Sequence, residues 1–395
     1  MRVSPLTITS YTATCAAGAG REPLARALAS RRGGLTPCDF SATPLGTWIG
    51  RVPEIERAAL PGDLAAWDCR NNRLAWYGAG RDGFTERVAA ARRRYGAARI
   101  ALVIGTATSS VGATEEGYAR LLEDGQYPPE LRRPIIHAPH SLTDFLRNAL
   151  RLDGLSMTIA TACSSSAKVF AHAERLVRLG LADAAVVGGT DSLCGSVLFG
   201  FHSLGLLSPE PCRPFDRDRR GISLGEAAGF ALLEPQGEGP LLLGYGESSD
   251  AHHMSAPHPE GRGARLAILE ALASAGVSAE EVDYINLHGT ASRKNDEIEA
   301  QVVAELFPRR TFASSTKGWT GHALGTAGIL EAVITLLALE RGLAPGTLNT
   351  ESVDCACGPQ IRLKNEPRAI RIATSHSFGF GGSNCVLVFG RERLS

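Results

Sequence analysis

Three residues of this sequence have side chains suited to nucleophilic chemistry assisted by proton transfer: Cys163, His288 and His322. Cys163 stands in TACSSS, where small neighbours leave its sulfur accessible and the residues that follow take helical spacing. Free amides and the helix dipole at such a helix start favour thiolate over thiol. His288 ends an apolar run in NLHGT, and His322 lies in the glycine-rich stretch KGWTGHALGTAG. Imidazoles on loops at strand ends can take a proton or donate a hydrogen bond to developing negative charge. Residue type alone leaves several readings open. The trio suits a cysteine hydrolase as well as acyl transfer to carbon, and each member alone also reads as a buried thiol or a locally hydrogen-bonded histidine.

The elements that must position these residues are legible in outline. Arg99 to Gly105 is a short apolar run ending in glycine, which predicts a buried strand feeding a loop. Leu155 to Ala162 leads into Cys163, so the cysteine is expected at a strand-to-helix junction. Residues 182–190 and the segment GISLGEAAGFALLEP predict two more packed strands. The same grammar then recurs: a helix over Arg262–Ala275, a strand over Val282–Leu287, a helix from about Asn295, and terminal strands at Ile370–Thr374 and Cys385–Phe389. Strands alternating with helices argue for an α/β body with buried sheets. A division falls near Gly237-Glu-Gly-Pro240, and residues 30–80, with three of the four tryptophans, are expected to form a peripheral helical cap.

Composition excludes several function classes. Lys plus Arg and Asp plus Glu both total 41 in 395 residues, so charge makes no case for a nucleic-acid binder. Nine cysteines at irregular spacing suit a reducing compartment, and Cys355-Ala-Cys357 lacks the usual metal spacing, so no metal site is expected. No signal peptide and no transmembrane segment are expected, which places the chain in the cytoplasm.

Four segments, in order, resemble the condensing-enzyme branch of the thiolase-like superfamily: TACSSSA at Cys163, NLHGTASRKNDEIE at His288, STKGWTGHALGTAG at His322, and SHSFGFGGSN near the C-terminus. The closest resemblance is to the elongating beta-ketoacyl-acyl-carrier-protein synthases of Cys-His-His type. It implies an α/β thiolase-like fold of two related βαβ-containing halves with a five-layer αβαβα core. The halves are 1–237, with the nucleophile and cap, and 238–395, with the histidines. It also implies that Cys163 takes the acyl group while His288 and His322 promote decarboxylation of malonyl thioester. Lys317 and Glu331 are implied as supporting residues, and the Phe380 amide joins that of Cys163 in an oxyanion hole, with its ring as a gate. Biosynthetic thiolases carry a second late cysteine where this sequence has glycine and phenylalanine, and initiating synthases use Cys-His-Asn.

The resemblance assigns Thr108, Val111, Ser196, Phe199 and His202 to an acyl pocket. Arg70, Arg73 and Arg213 are the residues expected to dock an acidic acyl carrier protein. No tightly bound cofactor is implied, because phosphopantetheine arrives on the carrier. The expected assembly is a homodimer, or a heterodimer with a ketosynthase-like chain-length factor. The expected pathway is aryl-polyene or related specialised biosynthesis; primary fatty-acid elongation is the alternative, and a mainly structural or chain-length-setting role is a third.

Overall fold

Continuous apolar runs become strands covered on both faces in the computed structural model, which describes residues 3–40 and 44–391. The principal strands are β1 (Leu6–Cys15), β2 (Ile100–Gly105), β3 (Ser156–Ile159), β4 (Ala184–Asp191), β5 (Ala227–Glu234), β6 (Leu241–Ser249), β7 (Tyr284–Asn286), β8 (Phe312–Ser314), β9 (Ile372–Gly379) and β10 (Ser383–Gly390). Every residue of β2, β4 and β5 is buried, as expected of strands sandwiched between layers.

Their order is β8-β7-β9-β10-β6-β1-β5-β4-β2-β3. The duplication appears as a repeated pairing pattern. In the first half β2 pairs in parallel with β3 and β4, and β5 then pairs antiparallel with β4 and β1. In the second half β7 pairs in parallel with β8 and β9, and β10 then pairs antiparallel with β9 and β6. Among the described strands, the two five-stranded units pair with each other where Leu6 and Thr7 of β1 meet Leu242 and Leu241 of β6.

Two helices fill the space between the units. Helix α1 (Ser165–Arg178) follows Cys163; further on come α2 (Gly195–Ser203), α3 (Arg262–Ala275), α4 (Arg293–Leu306) and α5 (Ala327–Arg341). All of α5 except its last two residues is buried, which is the signature of a core helix apolar all round. It packs on α1 and on β1, β5 and β9. The contact is close: a Cβ at Gly328 would lie 2.4 Å from the Ala167 amide nitrogen. One apolar cluster joins these central helices to both sheets. A second covers the outside of the first sheet and a third, with α3 and α4, the outside of the second. Helix, sheet, helix, sheet and helix give the αβαβα layering.

Two expectations are corrected. The segment GISLGEAAGFALLEP is not one strand: Leu224–Gly225 pairs with Trp48–Gly50 in a separate small sheet, and β5 starts at Ala227. Residues 30–80 are not a helical cap. Their described part, with residues 41–43 outside the described set, holds two short strands and two short 3-10 helices (Ile55–Arg57 and Gly62–Trp67), and its one α-helix, Arg70–Ala79, packs on β4 and β5 inside the main body. The weak periodicity reflects this, because Asn71 and Asn72 are buried polar residues on that helix.

Candidate active site

The turn carrying Cys163 is pinned by the hydroxyls around it. Ala162 adopts φ 51°, a left-handed conformation that costs an L-residue roughly 1 kcal/mol, and this sharp step lifts Cys163 away from the end of β3. Ser164 Oγ donates to the Thr161 carbonyl at 2.9 Å, Ser165 Oγ donates to the Ala162 carbonyl at 2.6 Å, and the Thr161 amide donates to Ser165 Oγ at 2.9 Å. Ser166 Oγ accepts the Ile329 amide at 2.9 Å, which ties the turn to α5. The run of small polar residues is therefore a set of local clamps, and α1 starts within it at Ser165.

His322 approaches from the other half. Its backbone is fixed against the small sheet: its amide donates to Ser223 O at 2.8 Å and its carbonyl accepts the Gly225 amide at 3.0 Å. This places Nε2 3.1 Å from Cys163 Sγ. The His288 and His322 rings lie edge to face with centroids 5.3 Å apart. The ligating atoms of Cys163, His288 and His322 all fall within 4.8 Å of one another.

Lys317 supports His288 more directly than His322. Its Nζ donates to the His288 carbonyl, lies 3.4 Å from His288 Nδ1, and contacts the Glu331 carboxylate on the buried face of α5. Glu299 is a support that sequence reading missed. Its carboxylate, buried on α4, accepts the amides of His288 at 2.8 Å and Gly289 at 2.7 Å and faces His376 Nδ1 at 3.5 Å. The signal was available, since Glu299 closes the segment NLHGTASRKNDEIE that carries His288.

The loop between β9 and β10 closes the site. The Phe380 amide is directed at the Cys163 sulfur and favours its thiolate, and the Phe380 ring stacks on Phe201 at 5.8 Å and 15°. Gly381 and Gly382 have φ 78° and 79°, and a Cβ at Gly382 would sit 2.7 Å from Asp250 Cβ, so the chain turns tightly here. Asp250 was also missed. Its amide donates to Gly382 O at 2.9 Å, its Oδ1 accepts Asn384 Nδ2 at 3.0 Å, and the Gly381 amide donates to Met254 O at 2.7 Å, so residues 250–258 hold the loop from outside.

Burial dominates the electrostatics. It pushes the Cys163 thiol up to about 11, against the pull of the Phe380 amide and the Lys317 charge, so the resting sulfur is a thiol and not the thiolate expected from its helix start. Burial, then the Lys317 charge, holds both imidazoles well below their ordinary 6.5, so both are neutral. Burial also raises the Glu331 carboxyl, and contact with Lys317 opposes this.

A cavity of about 390 Å³ opens on the trio, walled on its apolar side by Phe201, Leu206 and Ile222. None of the five expected pocket residues lines it. Thr108 is buried with its hydroxyl and amide on Asp191 at 2.7 and 2.8 Å, while Val111 is exposed. On α2 the helical period turns Leu198 and Phe201 inward, so Ser196, Phe199 and His202 face outward. The expected docking arginines are also engaged elsewhere. Arg70 reaches the buried Glu226 at 2.6 Å and also Glu56, Arg73 pairs with Asp68 at 2.5 Å, and Arg213 pairs with Glu210 at 2.6 Å. At the cavity mouth stand Arg220, Arg293 and Lys294, exposed and without an ion pair among the described residues.

Comparison with known proteins agrees with this geometry. Residues 76–238 match the family described as Beta-ketoacyl synthase, N-terminal domain, and residues 241–351 match Beta-ketoacyl synthase, C-terminal domain. The chain is 34% identical to Nodulation protein E of Rhizobium meliloti over 307 residues, which cover 74% of this chain and 76% of that protein. It is 34% identical to 3-oxoacyl-[acyl-carrier-protein] synthase 2 of Vibrio cholerae over 322 residues, covering 75% and 76%. Among solved structures, the ketosynthase ApeO in complex with its chain length factor ApeC from Xenorhabdus doucetiae matches with a TM-score of 0.90, 36% identity and 98% of each chain covered. No described helix is long and apolar enough to cross a membrane.

Proposed function

Because this chain belongs to the beta-ketoacyl synthase family, we propose that it joins an acyl thioester to malonyl thioester, both on an acyl carrier protein, with loss of carbon dioxide. The carrying observation is a cysteine sulfur 3.1 Å from one neutral imidazole, with a second imidazole edge-on to the first, at the end of a cavity.

The cycle balances in two half-reactions. Cys163 Sγ bonds to the acyl carbonyl carbon while its proton passes to His322 Nε2, and the Phe380 amide faces the developing oxyanion. The carbon-sulfur bond to the carrier breaks, and the departing thiolate takes the proton from His322. Malonyl thioester then enters, its carboxylate leaves as carbon dioxide, and the freed electron pair forms an enolate whose oxygen accepts hydrogen bonds from His288 and His322. The enolate carbon attacks the acyl carbonyl, the bond to Cys163 breaks, and the departing Cys163 thiolate takes up one proton from solvent, which is the proton consumed in the cycle. His322 works in turn as base and donor, and its Nδ1 has no described partner that would fix one tautomer.

Phosphopantetheine on the carrier supplies the reactive arm, and no tightly bound cofactor is required. Arg220, Arg293 and Lys294 supply the positive rim for an acidic carrier. Association with a chain-length factor, as a specialised aryl-polyene-type role would use, is supported by the likeness to the Xenorhabdus ketosynthase solved with its chain length factor, whereas primary fatty-acid elongation is supported by the relatives named 3-oxoacyl-[acyl-carrier-protein] synthase 2. The deciding experiment offers the purified protein, with and without a co-expressed partner, saturated and conjugated aryl-polyenoyl carriers plus malonyl carrier. Mass spectrometry should find a product longer by one two-carbon unit, lost with Cys163→Ala; release of free acid would instead make the protein a hydrolase.

A further inference from the structure

We infer that Cys163, His288 and His322 also form a binding site for a soft divalent cation, Zn²⁺ or Cd²⁺, whose occupancy is mutually exclusive with acylation of Cys163. One sulfur and two imidazole nitrogens are a donor set that these ions prefer over hard oxygen-seeking cations. Around a tetrahedral zinc with bonds of about 2.3 Å to sulfur and about 2.0 Å to nitrogen, sulfur and nitrogen stand about 3.5 Å apart. Cys163 Sγ and His322 Nε2, 3.1 Å apart, need only open slightly to admit the ion. Since all three ligating atoms already lie within 4.8 Å of one another, His288, on the loop after β7, joins by closing toward the ion. The cavity leaves a fourth position open to water, as in zinc sites that exchange a ligand.

The charge balance favours a reversible guest. Binding forms a metal-sulfur bond and releases the Cys163 proton to solvent, so ion, thiolate and two neutral imidazoles leave one net positive charge. The Lys317 ammonium, 3.4 Å from His288 Nδ1, opposes that charge and is itself paired with Glu331. Resident zinc sites have histidines whose second nitrogen donates to a carboxylate or carbonyl. Here His288 Nδ1 faces an ammonium and His322 Nδ1 has no described partner. The site therefore acts as an inhibitory trap open in the resting enzyme and closed once the sulfur carries an acyl group.

The test is cobalt titration of chelator-washed, full-length protein, read by the near-ultraviolet thiolate-to-cobalt charge-transfer band and by competition with Zn²⁺. The expected result is one equivalent of cobalt with the band, displaced by Zn²⁺, retained in Cys355→Ser/Cys357→Ser, and abolished both by Cys163→Ser and by iodoacetamide alkylation of Cys163 in the wild type. Alkylation keeps the test sound if the variant folds poorly. The histidine pair His252 and His258, with ring centroids 5.1 Å apart beside the cavity mouth, is the competing location. A band that survives loss of Cys163, an equivalent that disappears in His252→Ala/His258→Ala, or no bound cobalt at all would overturn the inference. Because binding is read without turnover, the result is independent of the proposed condensation.

Discussion

At the scale of single residues, the site works by keeping its groups neutral until substrate arrives. A buried thiol pushed up to about 11 is a poor spontaneous nucleophile at neutral pH, so attack depends on His322 accepting the proton at 3.1 Å. His322→Ala should slow alkylation of Cys163 by iodoacetamide at pH 7 by about 10²-fold, the usual size of general-base assistance. An unchanged alkylation rate would show that the sulfur ionises without it. The lowered imidazoles have a second consequence. Below pH 6.5 the unfolded chain binds protons that the folded histidines refuse, so each histidine removes up to about 1.4 kcal/mol of stability per pH unit on acidification. Asp296 and Glu331, both raised to about 7, act in the opposite sense between 7 and their ordinary values, because the folded state protonates first. The two effects offset each other in the wild type. His288→Gln should therefore gain stability relative to wild type as pH falls from 6.5 to 5.5, by up to about 1.4 kcal/mol in urea melts. A constant difference across that range would count against a neutral buried His288.

Among elements, the strand-to-helix turn at Cys163 stores the strain that aims the sulfur. Ala162 at φ 51° tolerates a methyl group, whereas a β-branched side chain in that region is a genuine outlier. Ala162→Val should cost about 1 to 3 kcal/mol in stability and reduce acyl transfer more than Ala162→Gly, which relieves the strain. Equal activity in the two variants would show that the turn geometry is not needed. What the sequence made legible divides along the same line. Cys163, His288 and His322 each sit in a distinctive local segment, and the junction and the repeated strand-helix grammar could be read from it, whereas Lys317 with Glu331 followed only from the family resemblance. The face of α2 could not, because Ser196, Phe199 and His202 differ from Leu198 and Phe201 only by which side the tertiary packing buries. Asp250 and Asn384 escaped for a related reason: their hydrogen bond spans 134 positions, and neither residue alone has a chemical signature.

For the whole molecule, zero net charge conceals an uneven distribution around one opening. Arg70, Arg73 and Arg213 are compensated by local carboxylates, whereas Arg220, Arg293 and Lys294 at the mouth are uncompensated among the described residues. Charges at the rim of an encounter surface act mainly on association rate and on its salt dependence, and they leave the buried chemistry alone. Arg220→Glu combined with Lys294→Glu should therefore raise KM for acyl and malonyl carriers about tenfold or more at low salt, with kcat nearly unchanged. The defect should shrink as ionic strength rises, and turnover of small pantetheine thioesters without a carrier should be almost unaffected. Arg213→Glu, which exchanges a paired charge for repulsion with Glu210 at a position that does not line the cavity, should be much milder in the same assay. The comparison is decisive: a larger effect of Arg213→Glu than of the mouth variant would return the docking surface to the arginines first expected from the sequence. A salt-independent fall in kcat would instead mean that the mouth residues act on the reacting arm after docking.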